Sequence, residues 1–177
     1  MPDLPVRFLV EGHADIALIR FLVPDKKLSI RMGGCTEVAN AMLSSQYSKY
    51  TLIGIVDNDD DLNERCKDSF NRKGFFSNFE LVRQENKLFL KRNPDTNQHI
   101  IIVDKAIESF LLWNAAEKKI DIGQYGFNDN VRKLKSQTKP PTIETDPEYH
   151  RLLTDLYTLK APGFLTLERI LHDFLAS

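Results

Sequence analysis

The sequence predicts an α/β protein built on a parallel sheet flanked by helices, and three observations carry that prediction. Over the first 61 residues strand-like and helix-like patterns alternate, as they do in βαβ units. Two of the strand-like runs, VRFLVE (6–11) and TLIGIVD (51–57), are almost continuously apolar, which is how strands covered on both faces read. The chain has 177 residues, 42% of them apolar and 28% charged, enough for one globular domain with a hydrophobic core of its own.

Taken in order, residues 6–11 form the first strand. Ile16, Ile19, Leu22 and Val23 then recur at spacings of three and four, predicting a helix over 15–23 that stops at Pro24. LSIRM (28–32) is the second strand. After the Gly33-Gly34 turn, Thr36 is placed to cap a helix with Val38, Ala41 and Met42 inward, ending near Gln46. TLIGIVD is the central strand and runs straight into the acidic cluster Asp57 to Asp61. FELV (79–82) and KLFLK (87–91) predict a hairpin inserted within residues 75–95. HIIIVD (99–104) returns to a buried strand, and a helix follows over 106–119. Residues 135–147, with Pro140, Pro141 and Pro147, read as a polar connector, and two helices finish the chain, the last over 165–175. The expected organisation is a single domain over 1–177, with core motifs in 1–65 and a C-terminal helical extension over 128–177.

Composition excludes several classes. A net charge of −1 does not suit a protein that coats nucleic acid by bulk electrostatics. No apolar run approaches the length of a membrane span, so no membrane partner is expected. The start, MPDLPVRFLVEGHAD, fits neither a signal nor a transit peptide. The expected location is therefore the cytoplasm, with Cys35 and Cys66 as reduced thiols.

Chemistry concentrates where two strands end. Glu11 closes the first, and Asp57 and Asp59 close the third. In an open parallel sheet ligands gather at the carboxyl ends of strands, so neighbouring strands would deliver these acids to one crevice. Crowded carboxylates need a cation or protons, and an all-oxygen donor set favours Mg²⁺ or Mn²⁺ over zinc. The four histidines, 13, 99, 150 and 172, are isolated and show no zinc spacing. Asp60 suits a helix cap equally well, and Asp15 suits the first turn of a helix by its dipole alone. Gly33-Gly34-Cys35-Thr36 reads either as a phosphate cradle or as a tight turn.

A Glu ending the first strand and an Asp-x-Asp ending a later one resemble the two signature motifs of Toprim domains. Glu11-Gly12-His13-Ala14-Asp15 is similar to the Glu-Gly-x-x-Asp form, and the order of strands and helices up to Asp57-x-Asp59 also matches. The resemblance is strong over the first third of the chain and implies a Toprim-like, Rossmann-like sheet. Asp61 stands where topoisomerase and primase versions carry another acid. The Glu-Gly pair that follows in topoisomerases is missing, as are a tyrosine domain and a zinc-binding primase domain. This directs the resemblance to small Toprim proteins like the metal-binding domain of overcoming-lysogenization-defect nucleases and ribosomal-RNA maturases.

That resemblance implies Mg²⁺-dependent (or Mn²⁺-dependent) phosphodiester cleavage of DNA or RNA. The implied metal ligands are Glu11, Asp15, Asp57, Asp59, Asp61 and Glu108, the last as the later acid of such proteins. Catalysis falls to Glu11, Asp57, Asp59 and Lys160, with Lys160 or Lys105 steadying phosphate charge; either lysine is equally readable as solvated surface. Arg132, Lys133, Lys135 and Lys139 form the densest basic strip, readable as a nucleic-acid track or a solvated helix face. No nucleotide-binding Gly-x-x-x-x-Gly-Lys-Ser/Thr occurs. Two rivals remain: a non-catalytic binding module working with a protein partner, as in phage defence, or as a homo-oligomer; and a phospho-acceptor domain charged on Asp57.

Overall fold

A computed structural model describes residues 4–58 and 74–176. Asp59, Asp60, Asp61 and Cys66 lie outside them. The described residues form a six-stranded mixed sheet in the order β2-β1-β3-β6-β5-β4. Four strands, β1 (Val6–Val10), β2 (Ser29–Arg31), β3 (Thr51–Asn58) and β6 (Gln98–Asp104), run parallel. The predicted hairpin, β4 (Glu80–Glu85) and β5 (Leu88–Arg92), pairs antiparallel with β6 and so lengthens the sheet. Asn86 and Lys87 at its tip both have positive φ, 47° and 65°, the two-residue turn whose twist matches that of the strands.

Because β3 and β6 are inner strands, both faces of the sheet need cover. On one face α2 (Cys35–Leu43) and the aromatics Phe75, Phe76 and Phe79 close over Leu52, Val56 and Ile102. The other face carries the larger core, where α1 (His13–Leu22), α3 (Ile107–Glu117), α4 (Val131–Thr138), α5 (Pro147–Thr158) and α6 (Pro162–Leu175) contribute. The fold is thus the α/β architecture that the alternating pattern predicts, and its mixed, mostly parallel sheet is Rossmann-like. Among the described residues, no helix is long and apolar enough to cross a membrane.

Two expectations need correction. Residues 135–147 are not a bare connector: α4 extends into them, and residues 141–145 form a 3₁₀ turn docked on α1. Pro141 and Pro147 each occupy the first position of an element, where the missing N–H costs nothing, so they start structure here instead of breaking it. Cys35 is disulfide-bonded, not the reduced thiol expected. Counting cysteines weighs the compartment, whereas pairing depends on which segments the fold brings together.

The C-terminal helices are fixed by a buried polar contact. Asn114 is 0% exposed; its amide donates to Phe110 O, and its Oδ1 accepts the Gly163 N–H at 2.8 Å. This joins α3 to the start of α6. Asn114→Ala would leave that N–H buried without an acceptor and open a cavity. The expected loss is about 2–4 kcal/mol in denaturant unfolding, with the overall circular dichroism spectrum retained.

Candidate functional site

At the carboxyl edge of the sheet lies a cleft of roughly 350 Å³, lined among others by Glu11, His13, Asp15, Asp57 and Glu108. Register explains the first meeting. Val10 pairs with Ile55, so Glu11 leaves β1 beside the last residues of β3. There Glu11 Oε2 accepts the Asp57 N–H at 3.0 Å, and Glu11's own N–H donates to Ile55 O. Asp57, 8% exposed, turns its Oδ1 to the N–H of Ile107 at 3.0 Å and so caps α3. That contact brings Glu108, the second residue of α3, to the same cleft.

Asp15 arrives from the first turn of α1. A Cβ on Gly12 would stand 2.6 Å from Asp15 Oδ2, so glycine is what allows this carboxylate to fold back over the helix start. That is a physical reason for the Gly-x-x-Asp spacing. The same device recurs at α2, where Glu37 Oε2 would stand 2.6 Å from a Cβ on Gly34. The cap of α2 is therefore Gly34 and not Thr36.

Burial gives the acids their character. Asp15 is 5% exposed and Glu108 4% exposed. Glu108 Oε1 accepts the Thr138 hydroxyl at 2.5 Å, while its Oε2 and Asp15 Oδ1 have no hydrogen-bond partner among the described residues. The third buried side-chain atom in that condition is His99 Nδ1, away from the cleft. Burial holds the His99 imidazole neutral by lowering its pKa to about 4. For Asp15, burial first, then the neighbouring Glu11 and Glu108 charges, push the carboxyl up to about 7. Tyr149, wholly buried beneath, donates its hydroxyl to Ala14 O, and burial together with Asp15 holds its pKa well above the usual value.

The structure thus gathers Glu11, Asp15, Asp57 and Glu108, while Asp59 and Asp61 lie outside the described residues. Among the described residues, no three acidic, histidine or cysteine side chains stand close enough together to hold an ion. Lys160 does not line the cleft. It stands exposed in a positive-φ turn beyond the C-terminal end of α5, whose N-terminal turn carries Tyr149 towards α1; 12 helical residues span about 18 Å. Lys105, also at positive φ and exposed, is not a lining residue either. The cations that do line the cleft are Arg31, Lys135 and Lys139.

Sequence reading passed over His13, which lines the cleft and whose Nδ1 donates to Glu144 Oε1 at 2.5 Å. Arg20 donates to the other oxygen of Glu144 at 3.0 Å. The pairing spans 131 residues, and no local pattern announces it. Comparison with family models, with curated proteins and with solved structures finds no match.

The raised Asp15 pKa fixes the sign of a pH effect. In the unfolded chain Asp15 ionises near pH 4, whereas in the fold it keeps its proton to about pH 7. Between those values the native state binds more protons than the unfolded state, so this contribution to stability is present below pH 4 and lost as pH rises to about 7. In protein freed of divalent cations, Asp15→Asn should therefore raise the melting temperature relative to wild type at pH 8. At pH 4 the two proteins should melt alike.

Proposed function

We propose that this chain is a small Toprim-type enzyme that cleaves nucleic-acid phosphodiesters, DNA or RNA, with Mg²⁺ or Mn²⁺. The observation that carries the reading is the pair of orphaned carboxylate oxygens, Asp15 Oδ1 and Glu108 Oε2, buried in a cleft that Glu11 and Asp57 also line. Buried carboxylates lacking donors are costly unless a proton or cation satisfies them. An all-oxygen set suits a hard divalent ion, and side-chain rotation would have to bring the donors together.

Glu11, Asp15, Asp57 and Glu108 would hold such an ion, with Asp59 and Asp61 as further ligands from the adjoining segment. The ion would supply charge stabilisation at the scissile phosphate and a more acidic water. Glu11, half-buried and touching the backbone of β3, is the acid suited to position a water or carry its proton. Asp57 has a second task, because its carboxylate also caps α3. Burial and that bond make it a poor phospho-acceptor, so the third reading recedes.

One observation favours the non-catalytic alternative. The described carboxylates share a cleft without three of them closing on a point. A binding module would need no more than this.

Cleavage of a mixed DNA and RNA panel by protein free of contaminating nucleases decides between the two. Mg²⁺ or Mn²⁺ should support cleavage, chelation should abolish it, and Glu11→Gln or Asp15→Asn should slow it roughly 100-fold or more. Glu108→Gln should weaken Mn²⁺ binding at least about tenfold while Thr138 keeps an oxygen to donate to. No cleavage across the panel, with Mn²⁺ binding intact, would sink the enzyme reading and leave the module.

A further inference from the structure

The cleft has a floor of one charge and a rim of the other. Arg31, the last residue of β2, enters at one end of the cleft, paired with Val10, the residue before Glu11. Lys135 and Lys139 enter at the other end. They lie four residues apart on and just past α4, on one side of the helix, whereas Arg132 and Lys133 do not line the cleft. The Thr138 hydroxyl fixes their register. Thr138 is 1% exposed and is bonded to Glu108 Oε1, so α4 is fastened to the acidic floor itself.

Helix starts at this edge would ordinarily be the anion sites. Here α1 and α2 are covered by their own carboxylates, Asp15 over Gly12 and Glu37 over Gly34, and the Ile107 N–H at the start of α3 is taken by Asp57. The Gly33 N–H is likewise engaged, donating to Glu11 O at 3.0 Å, so the Gly33-Gly34 turn is no open phosphate cradle. An anion entering the cleft meets side-chain cations instead. Arg31 and Lys139 are exposed and form no ion pair with any described residue.

A lone anion would be repelled by the floor, and a lone cation by the rim. We infer that Arg31, Lys135 and Lys139 form a phosphate-binding rim, so that the cleft takes a phosphate group together with its divalent counter-ion and binds the two cooperatively. This deepens the reading above and rests on it for the nature of the substrate. The shared chemistry is a phosphate ester, whether carried by a nucleic-acid strand or by a free nucleotide. By linkage, whatever factor the cation adds to phosphate affinity, the phosphate must add to cation affinity.

The test needs no turnover. Binding of a short fluorescein-labelled single-stranded oligonucleotide, and separately of a nucleoside monophosphate, is measured with and without Mn²⁺, and Mn²⁺ binding is measured by electron paramagnetic resonance with and without each. Mn²⁺ should tighten oligonucleotide binding about tenfold, and the oligonucleotide should tighten Mn²⁺ binding by the same factor. Lys139→Gln and Arg31→Gln should each weaken the oligonucleotide at least about fivefold and make its salt dependence shallower by about one phosphate contact. Lys139→Arg should retain binding, and Arg132→Gln and Lys133→Gln should stay within about twofold of wild type. Equal coupling with the monophosphate, and no gain from a longer strand, assigns the phosphate to free nucleotides and upholds the rim. Independent binding of Mn²⁺ and phosphate, or losses at Arg132 and Lys133 as large as at Lys139, would overturn it. Coupling without cleavage rejects only the nuclease reading, and cleavage without coupling rejects only the rim.

Discussion

Two backbone amides organise the site. The Asp57 N–H is held by Glu11 Oε2, and the Ile107 N–H by Asp57 Oδ1, so that each acid grips an element distant from it in sequence. Through these bonds the ends of β1 and β3 and the start of α3 are fixed against one another. The price of such an arrangement is repulsion between carboxylates drawn towards the same edge. Asp15 keeps its proton to about pH 7, first because it is buried and then because the Glu11 and Glu108 charges stand beside it. The protein folds with this tension because the surrounding core is large. Tyr149, Phe110 and Phe164 are wholly or almost wholly buried beneath the same helices.

Much of this was legible in the chain. Apolar runs ending abruptly in Glu11 and Asp57 disclose both the parallel strands and the acids at their ends, since strand burial and strand termination are local properties. The inserted hairpin was visible for the same reason. What a single pass along the sequence cannot see is the second use of a side chain: Asp57 as the cap of α3, or Glu144 as the partner of His13, are contacts between residues 50 and 131 positions apart. A pass along the chain cannot rank its lysines for a related reason. Lys160 and Lys139 are equally basic and equally exposed as sequence, and only the Thr138 to Glu108 bond places the second at the cleft. Pro140, Pro141 and Pro147 make residues 135–147 read as a polar connector because a proline's position within an element is invisible until the element exists.

The division of labour between the two parts of the chain bears on both functional readings. The acidic floor comes from the strand ends and the starts of α1 and α3, whereas Lys135, Lys139 and the hydroxyl that orients Glu108 come from α4 and its C-terminal end, and Arg31 from β2. A binding module and an enzyme would both need that floor. They differ in how closely the carboxylates can be drawn together once a ligand is present, a matter of side-chain rotation and not of fold.

The Arg20, His13 and Glu144 cluster ties the C-terminal extension to the first helix through groups that are each only 20–29% exposed. Loss of any one of the three would strand the others as half-buried polar groups with an imperfect partner. Positions 13, 20 and 144 are therefore bound to a common history. In descendants of this chain they should drift as a set, with a change of charge at 144 answered at 20 or 13, while the exposed residues between them vary freely.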